Sequence, residues 1–269
     1  MAINSVNNAL YNTNLLFGTA NNQKQDSIAK LWSGYNSFQS NAATSAANLT
    51  EINTNLKALL ASYDDAKNAF STEFDDSMSA LAESADKLKT YDFNVEKDGA
   101  ITNTTSTDDK GVTTTTTTYS KDLQAAIDTV KGFVDNYNDA IKFFGDYSSV
   151  SKRIEQIGTT FGDTTYRASA YEAIGLNVNS DGSFTINESK LADAIVNSPE
   201  KVSSTLGEDG LAGKTESHLS FANGQKDNLF PSAQRMLGDQ LNTAAAYTGK
   251  NFTNISAINN MGNLINMMF

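Results

Sequence analysis

Apolar side chains recur at helical spacing along the first half of the chain. From Leu49 to Phe70 they return alternately after three and four residues, and after a one-residue shift the stripe continues to Leu88. A sustained period of about 3.5 residues is typical of helices that pack along a continuous seam. The pattern therefore predicts one helix of about 40 residues that ends near Thr90.

A second stripe, from Leu123 to Phe144, keeps the same alternation of four and three without a miss. Ser120 precedes it as a predicted N-cap, and Asp122 lies in the first turn, where the helix dipole favours an anion. An amphipathic helix packed on its own domain gives much the same pattern. The stripe thus predicts a packed helix. We interpret it as forming an antiparallel rod with the first helix.

Residues 91–119 between the two stripes have a different character. Tyr91, Phe93 and Val95 alternate with polar residues, and Asp98-Gly99 is a hairpin-turn signal. A second turn at residues 109–111 precedes a run of threonines, which favour strands. We expect a small antiparallel β-meander here, with a threonine-rich flexible linker as the alternative.

The fold class predicted from these patterns is mainly α with a small β portion (α+β). Long antiparallel helices with heptad seams form a rod, to which a β-meander and a small hairpin–helix module are added. The predicted segments are residues 1–48 as a disordered or helical N-terminal assembly segment, 49–90 as a rod helix, 91–119 as the threonine-rich meander, 120–230 as a rod helix plus a small α/β module, and 231–269 as a C-terminal assembly helix.

Composition excludes several kinds of chemistry. The chain of 269 residues has no cysteine, so disulfides, thiolate metal sites and a cysteine nucleophile are impossible. Its single histidine, His218, lies in a polar stretch and is predicted to be solvent-exposed; sites that need two imidazoles are ruled out. With 31 acidic and 20 basic residues, binding to nucleic acid or to an anionic membrane is disfavoured. We predict no catalytic residues and no cofactor.

Charge is nearly absent from both ends of the chain. Residues 1–50 contain three charged side chains and residues 251–269 contain none. Solvated tails are usually charged, so apolar but uncharged ends are expected to be buried against a partner, although frayed polar termini are the alternative. The predicted partner-binding residues are the apolar side chains Leu15, Leu16, Phe17, Leu241, Phe252, Ile255, Ile258, Leu264, Ile265 and Phe269.

Residues 177–188 offer the one candidate metal site. Asn177, Asn179, Asp181 and Glu188 occupy the first, third, fifth and twelfth positions of an EF-hand-like calcium loop, with Gly182 at the sixth. The same stretch also reads as a β-hairpin with a turn at residues 180–182, followed by a helix that starts near Glu188. The hairpin accounts for every residue without calcium, so the calcium site is kept as the alternative.

Two segments carry a resemblance to a known family. Residues 174–213 resemble the C-terminal region of the bacterial flagellar cap protein (hook-associated protein 2) family in their succession of strand, Asp-Gly turn, strand and helix. Residues 127–144 resemble the preceding helix of that family through Phe133, Val134, Tyr137 and Asn138. The chain is short for a cap protein, and its asparagine-rich start is more similar to flagellins, which implies a reduced cap-like protein or another axial protein.

The resemblance implies a function. It points to a structural assembly subunit of a flagellar filament, exported to the extracellular flagellum without a secretory signal peptide. Residues 1–48 and 232–269 would stay disordered until assembly, and the implied partners are copies of the same chain, flagellin or other axial proteins, and an export chaperone on the C-terminal helix. The alternatives from other classes are a soluble EF-hand-like calcium-binding protein and a secreted surface adhesin that uses the threonine-rich segment.

Overall fold

The computed structural model of the chain describes residues 25–44, 49–110 and 112–238. These residues are mainly helical, with two antiparallel sheets of two strands each, which confirms the predicted α+β class. The chain divides into two compact units, one built from residues 1–72 and 230–269 and the other from Glu73–Leu229. Among the described residues, no helix has both the length and the apolarity needed to cross a membrane.

The elements of the described residues follow each other in a simple order. They are α1 (Gln25–Thr44), α2 (Leu49–Lys89), β1 (Ile101–Thr107), β2 (Thr113–Tyr119), α3 (Lys121–Tyr147), α4 (Lys152–Phe161), a 3-10 turn (Gly162–Arg167), α5 (Ala168–Glu172), β3 (Leu176–Val178), β4 (Phe184–Ile186), α6 (Glu188–Asn197), α7 (Pro199–Leu206), α8 (Leu211–Gln225) and a short 3-10 turn (Lys226–Asn228). Residues 233–238 are also helical.

The first unit has an apolar core formed by α1 and the first part of α2. Leu31 of α1 is fully buried, so the described part of the N-terminal segment packs as part of the fold. The Tyr63 hydroxyl donates a hydrogen bond of 2.8 Å to the carbonyl oxygen of Pro231, and its ring lies 5.7 Å from that of Phe230. Burial is the main cause that raises the pKa of Tyr63 to about 12, so this hydroxyl remains a donor at neutral pH.

The second unit pairs the last part of α2 with α3. The Tyr147 hydroxyl is 2.8 Å from Oε2 of Glu73, and the Asn136 amide nitrogen donates to the carbonyl oxygen of Ala80 at 3.1 Å. Residue numbers thus increase along α2 where they decrease along the contacting part of α3, so the two helices are antiparallel there. The buried side chains of α3 include Leu123, Ile127, Val130, Val134, Tyr137, Ile141 and Phe144, the full stripe that the sequence predicts to be packed.

The ends of both long helices confirm the sequence signals. Helix α2 ends at Lys89, one residue before the predicted Thr90. Helix α3 is capped by Ser120, whose Oγ accepts a hydrogen bond from the backbone N–H of Leu123, and Asp122 lies in the first turn. These caps satisfy backbone donors that a helix start leaves unpaired.

The predicted meander over residues 91–119 is wrong in its first part. Strands β1 and β2 form an antiparallel hairpin, with Ile101 opposite Tyr119, whereas residues 91–96 belong to no strand. The physical reason is Phe93, which is 2 % exposed: the segment inserts this ring into the core instead of pairing its backbone in a sheet. The turn at Gly99, with φ of 75°, leads into β1 and does not connect two paired strands.

The small hairpin–helix module forms as predicted. Strands β3 and β4 pair antiparallel, and Gly182 in their turn has a φ of 87°. A Cβ at Gly182 would lie 2.4 Å from the Cα of Gly162, so both conformation and space require glycine there. Helix α6 starts at Glu188, and the Asn187 side chain caps it by accepting a hydrogen bond of 3.1 Å from the backbone N–H of Lys190.

The packed face of α3 yields a stability prediction. Replacing Val134, which is 2 % exposed, by Asp should lower the free energy of unfolding by about 3 kcal/mol or more, because a carboxylate would be buried without a partner. Replacing the neighbouring, exposed Asp135 by Lys should change it by under about 0.5 kcal/mol. Urea titration of both variants checks this, and equal shifts in midpoint would contradict the assigned packing face.

Candidate functional site

The residues by which α3 resembles the flagellar family form the central contacts of the larger unit. Tyr137 is fully buried, and its hydroxyl donates a hydrogen bond to the carbonyl oxygen of Phe161, the last residue of α4. Burial raises the pKa of Tyr137 far above its ordinary value, so the hydroxyl keeps its proton. A buried tyrosine hydroxyl with a backbone acceptor fixes the end of α4 against α3.

The next residue, Asn138, connects α3 to the β3–β4 hairpin. Its amide nitrogen donates to the carbonyl oxygen of Phe184 at 2.9 Å, and its amide oxygen accepts from the backbone N–H of Phe184 at 2.8 Å. The side chain therefore pairs with β4 as a neighbouring strand would. The Phe184 ring packs at 5.4 Å from Tyr137 and at 5.2 Å from Tyr171, which completes the junction with apolar contacts.

The calcium-loop residues lie in a hairpin turn. Asn177 is in β3, and the Asn179 amide bonds to Oγ of Ser183 at 2.9 Å. Asp181 Oδ1 accepts from the backbone N–H of Ser183 at 3.0 Å and from its hydroxyl at 2.6 Å. Burial alone raises the pKa of Asp181, but the hydrogen bonds from Ser183 outweigh it and hold the pKa below the ordinary value. These contacts are those of a self-contained turn.

Glu188, the last residue of the calcium pattern, points its carboxylate to another element. It forms a salt bridge with the ammonium group of Lys131 on α3. In the part of the chain that the structure describes, no three His, Asp or Glu side chains cluster closely enough to hold a metal ion. The side chains of Asn179, Asp181 and Glu188 therefore have structural partners here, and the calcium site stays an untested alternative.

The expectation that His218 is solvent-exposed is wrong. Its side chain is 15 % exposed, with Nε2 at 3.8 Å from Oδ2 of Asp163 and its ring 5.4 Å from that of Phe161. Lys214 approaches the same carboxylate at 3.8 Å. The polar sequence around His218 concealed this because α8 buries one narrow face, including Thr215.

The Nδ1 atom of His218 is buried without a hydrogen-bond partner among the described residues. Burial lowers the pKa of His218 below 6.5, and the neighbouring Asp163 carboxylate opposes that shift only in part. The imidazole is therefore neutral at pH 7. Asp163 thus faces both the Lys214 ammonium group and the His218 imidazole, each at 3.8 Å.

An exposed surface is formed by the hairpin of β1 and β2 with its connecting turn, called here the threonine hairpin. Every residue of β1 after Ile101 is exposed, and every residue of β2 before Tyr119 is exposed. Neither strand contains a charged side chain. A surface that is uncharged and hydrogen-bonding on both faces is a candidate for contact with another molecule.

The ten predicted partner-binding residues lie outside the described residues. They are Leu15, Leu16, Phe17, Leu241, Phe252, Ile255, Ile258, Leu264, Ile265 and Phe269. Leu31 and Leu237, which belong to the described residues, are both fully buried. The structure thus describes the body of the protein and leaves the proposed assembly residues as a prediction.

The sequence also predicts that Tyr137 is buried with its hydroxyl hydrogen-bonded or lies at the edge of the rod, and the buried, hydrogen-bonded hydroxyl is confirmed. Sequence reasoning missed the contacts of Asn138 with Phe184. The available signal was the placement of an amide directly after a buried tyrosine on an apolar helix face. In comparisons with known proteins, the chain matches no family model, no curated protein and no solved structure. Its function must therefore be argued from its own residues and from the motif resemblance.

The Asn138 amide generates a stability prediction. In Asn138→Ala, both the N–H and the C=O of Phe184 lose their partner, so the free energy of unfolding should fall by about 1–3 kcal/mol. The matched control is Asp139→Ala, an exposed neighbour, for which a change within about 0.5 kcal/mol is expected. Urea unfolding measures both, and similar shifts for the two variants would refute the role given to Asn138.

His218 generates a prediction for pH. Its pKa in the folded state is below the ordinary 6.5, so the unfolded chain takes up a proton first as the pH falls. The stabilisation is complete above pH 6.5 and is lost as the pH falls through the folded pKa. His218→Gln should therefore lose less stability than the natural protein between about pH 7.5 and about pH 5. Identical pH profiles of the urea midpoint would exclude this role.

Proposed function

We propose that the protein is a structural assembly subunit of a bacterial flagellar filament, similar to the cap, and that it is not an enzyme. The observation that carries the proposal is the role of Tyr137 and Asn138, the residues of the flagellar-like motif. Each bonds to a backbone atom of another element, Phe161 or Phe184. Side chains that join elements of the fold have a structural role. This supports, for this protein, a structural function like that of the family that the motif resembles.

The helical part of the larger unit supports the same proposal. We infer that the stripes on α2 and α3 pack with a heptad seam, as a rod within that unit. Among the described contacts, Phe74 lies 6.0 Å from Phe143 and 6.4 Å from Phe144. Further along, Met78, Leu81, Ala85 and Leu88 on α2 are all buried, as the same stripe requires. Long, paired apolar stripes are typical of helices that pack side by side into rods, which suits a filament component.

Assembly is assigned to the uncharged ends of the chain. Residues 251–269 lack charge while the whole chain carries a net charge of -11. Charge repulsion keeps acidic bodies apart, so association is favoured where apolar side chains are present without charge. The proposed partners are copies of this chain, flagellin or other axial proteins, with an export chaperone on the C-terminal helix before assembly. The proposed location is the extracellular flagellum.

A matched pair of substitutions tests the assembly proposal. Ile258→Asp and Asn259→Asp place the same new carboxylate at adjacent positions, but only Ile258 belongs to the apolar stripe. The first should raise the dissociation constant of the oligomer by about tenfold or more and abolish binding to the ends of purified flagellar filaments, and the second should do neither. Sedimentation and electron microscopy give the two readouts. Equal behaviour of the variants would remove the C-terminal stripe from the proposal.

The calcium alternative has a separate test. A calcium ion at 100 times its dissociation constant would stabilise the folded chain by about 2.7 kcal/mol. Because Glu188 already pairs with Lys131 and Asp181 with Ser183, we expect no calcium-dependent rise in melting temperature. A clear rise that Glu188→Gln abolishes would favour a calcium-binding protein instead.

The adhesin alternative is favoured by one observation, the exposure of the threonine hairpin on both faces. Hydroxyl groups of exposed threonines can bind sugar hydroxyls. Binding of the full chain to a glycan array, lost on replacement of Thr105 and Thr115 by Val, would support that function. Filament-end binding with no glycan binding would exclude it.

A further inference from the structure

The threonine hairpin packs little against the other described elements of the chain. Its strands are exposed along nearly their whole length, and only Ile101 and Tyr119 at its base are partly buried. An isolated two-stranded ribbon is marginally stable in water, and stability normally requires a third strand or a packed face. The described sheet stops at two strands. The edges of this two-stranded ribbon are therefore suited to pair with a strand of another molecule.

The hydrogen-bonding pattern shows which groups of β2 are free to accept another strand. The Ser120 N–H donates to the Ala100 carbonyl at 2.8 Å, and the Asp108 N–H donates to the Val112 carbonyl at 3.0 Å. Directly opposite residues in an antiparallel pair alternate between bonded and non-bonded. The even-numbered residues of β2 thus face β1 with their backbone groups. The odd-numbered ones, Thr113, Thr115, Thr117 and Tyr119, direct their N–H and C=O groups to the open edge.

We propose that the open edge of β2 pairs antiparallel with β2 of a second copy of this chain, centred on Thr116. In that register threonine faces threonine over residues 114–118, and Thr113 faces Tyr119. The molecule already uses such pairs, since Thr104 lies opposite Thr116 and Thr105 opposite Thr115. Cross-strand threonine pairs stabilise sheets, so β2 is complementary to itself.

Charges near the two ends of the hairpin favour antiparallel over parallel pairing of two copies. Two chains of net charge -11 repel each other, but the strands themselves carry no charge. Antiparallel pairing brings the tip of one copy, which carries Asp108, Asp109 and Lys110 and is net negative, towards the base of β2 in the other copy, where Lys121 and Asp122 balance each other. Parallel pairing would place the acidic tips side by side. No lysine or proline within β2 blocks its edge, although such residues commonly protect exposed edges.

The choice of β2 over β1 rests on composition. Residues 113–118 of β2 are all threonine, whereas β1 contains Asn103 and Ser106, which are weaker strand formers. The base of β1 is also preceded by Glu96, Lys97 and Asp98, whose net negative charge would oppose the net negative tip of a second copy. This pairing goes beyond the proposed function, because it requires neither a flagellum nor the uncharged ends.

Single cysteines test the register directly, because the chain has none of its own. In the proposed pairing Thr116 faces itself at a non-bonded site, where Cα atoms lie about 4.5 Å apart, within the range that a disulfide spans. Full-length Thr116→Cys should therefore form a covalent dimer at least about tenfold faster in glutathione buffer than Thr114→Cys or Thr118→Cys. A mixture of Thr114→Cys and Thr118→Cys should cross-link rapidly, because those positions face each other.

A second pair of variants separates edge pairing from chance collision. In the Thr116→Cys background, Thr115→Pro removes an outward N–H without removing a bond to β1, and Thr115→Val keeps that N–H and the branched side chain. The proline variant should cross-link about tenfold more slowly and the valine variant at the parent rate. Circular dichroism of both variants checks that the fold is retained. Equal rates at all cysteine positions, faster cross-linking of Thr104→Cys in β1, or no effect of proline would overturn the proposal.

Discussion

Helix α3 buries the Tyr137 side chain and half-buries that of Asn138, and their hydrogen bonds join this helix to α4 and to β4 in the larger unit. Burying the Tyr137 hydroxyl costs free energy unless it finds an acceptor, and the acceptor is the last backbone carbonyl of α4, a group that every helix end leaves unpaired. This single hydrogen bond therefore pairs both the buried hydroxyl and a carbonyl at the end of the helix. Asn138 does the same for the Phe184 backbone in β4. Since both partners are backbone atoms, the bonds fix the positions of whole elements. Gly158 allows the approach, because a Cβ there would lie 2.9 Å from the Cβ of Phe144.

Aromatic packing adds to this arrangement, whereas most ion pairs lie at the periphery. The rings of Phe144 and Phe161 are 5.1 Å apart, and Phe144 is fully buried, so the end of α4 is held by apolar contact as well as by the tyrosine bond. By contrast, the salt bridge between Lys226 and Asp75 is largely exposed. Such pairs contribute little to stability in water. The fold is thus stabilised mainly by burial of apolar area around a small number of satisfied polar groups.

Charge is unevenly distributed along the protein. Copies with a net charge of -11 repel each other, so both proposals place contact between copies on surfaces where charge is missing. The threonine hairpin is one such surface within the described structure, and the apolar ends are predicted to be another. These surfaces differ physically: the hairpin offers backbone hydrogen bonds along an edge, and the ends offer apolar area. Two independent contacts of different chemistry are suited to a repeating assembly, because each can set a different neighbour relation.

The sequence alone determined the features that depend on neighbours a few residues away. The apolar period set helices α2 and α3, Ser120 set the start of α3, and the Asp-Gly turn at Gly182 set the β3–β4 hairpin. Tertiary structure decided what depends on distant residues. It buried Phe93 in place of a third strand, enclosed His218 beside Asp163, and brought Asn138 to Phe184, 46 residues away. Local periodicity shows which face of an element is apolar, but the partner of a single polar group on that face is chosen by packing between elements, which no local pattern encodes.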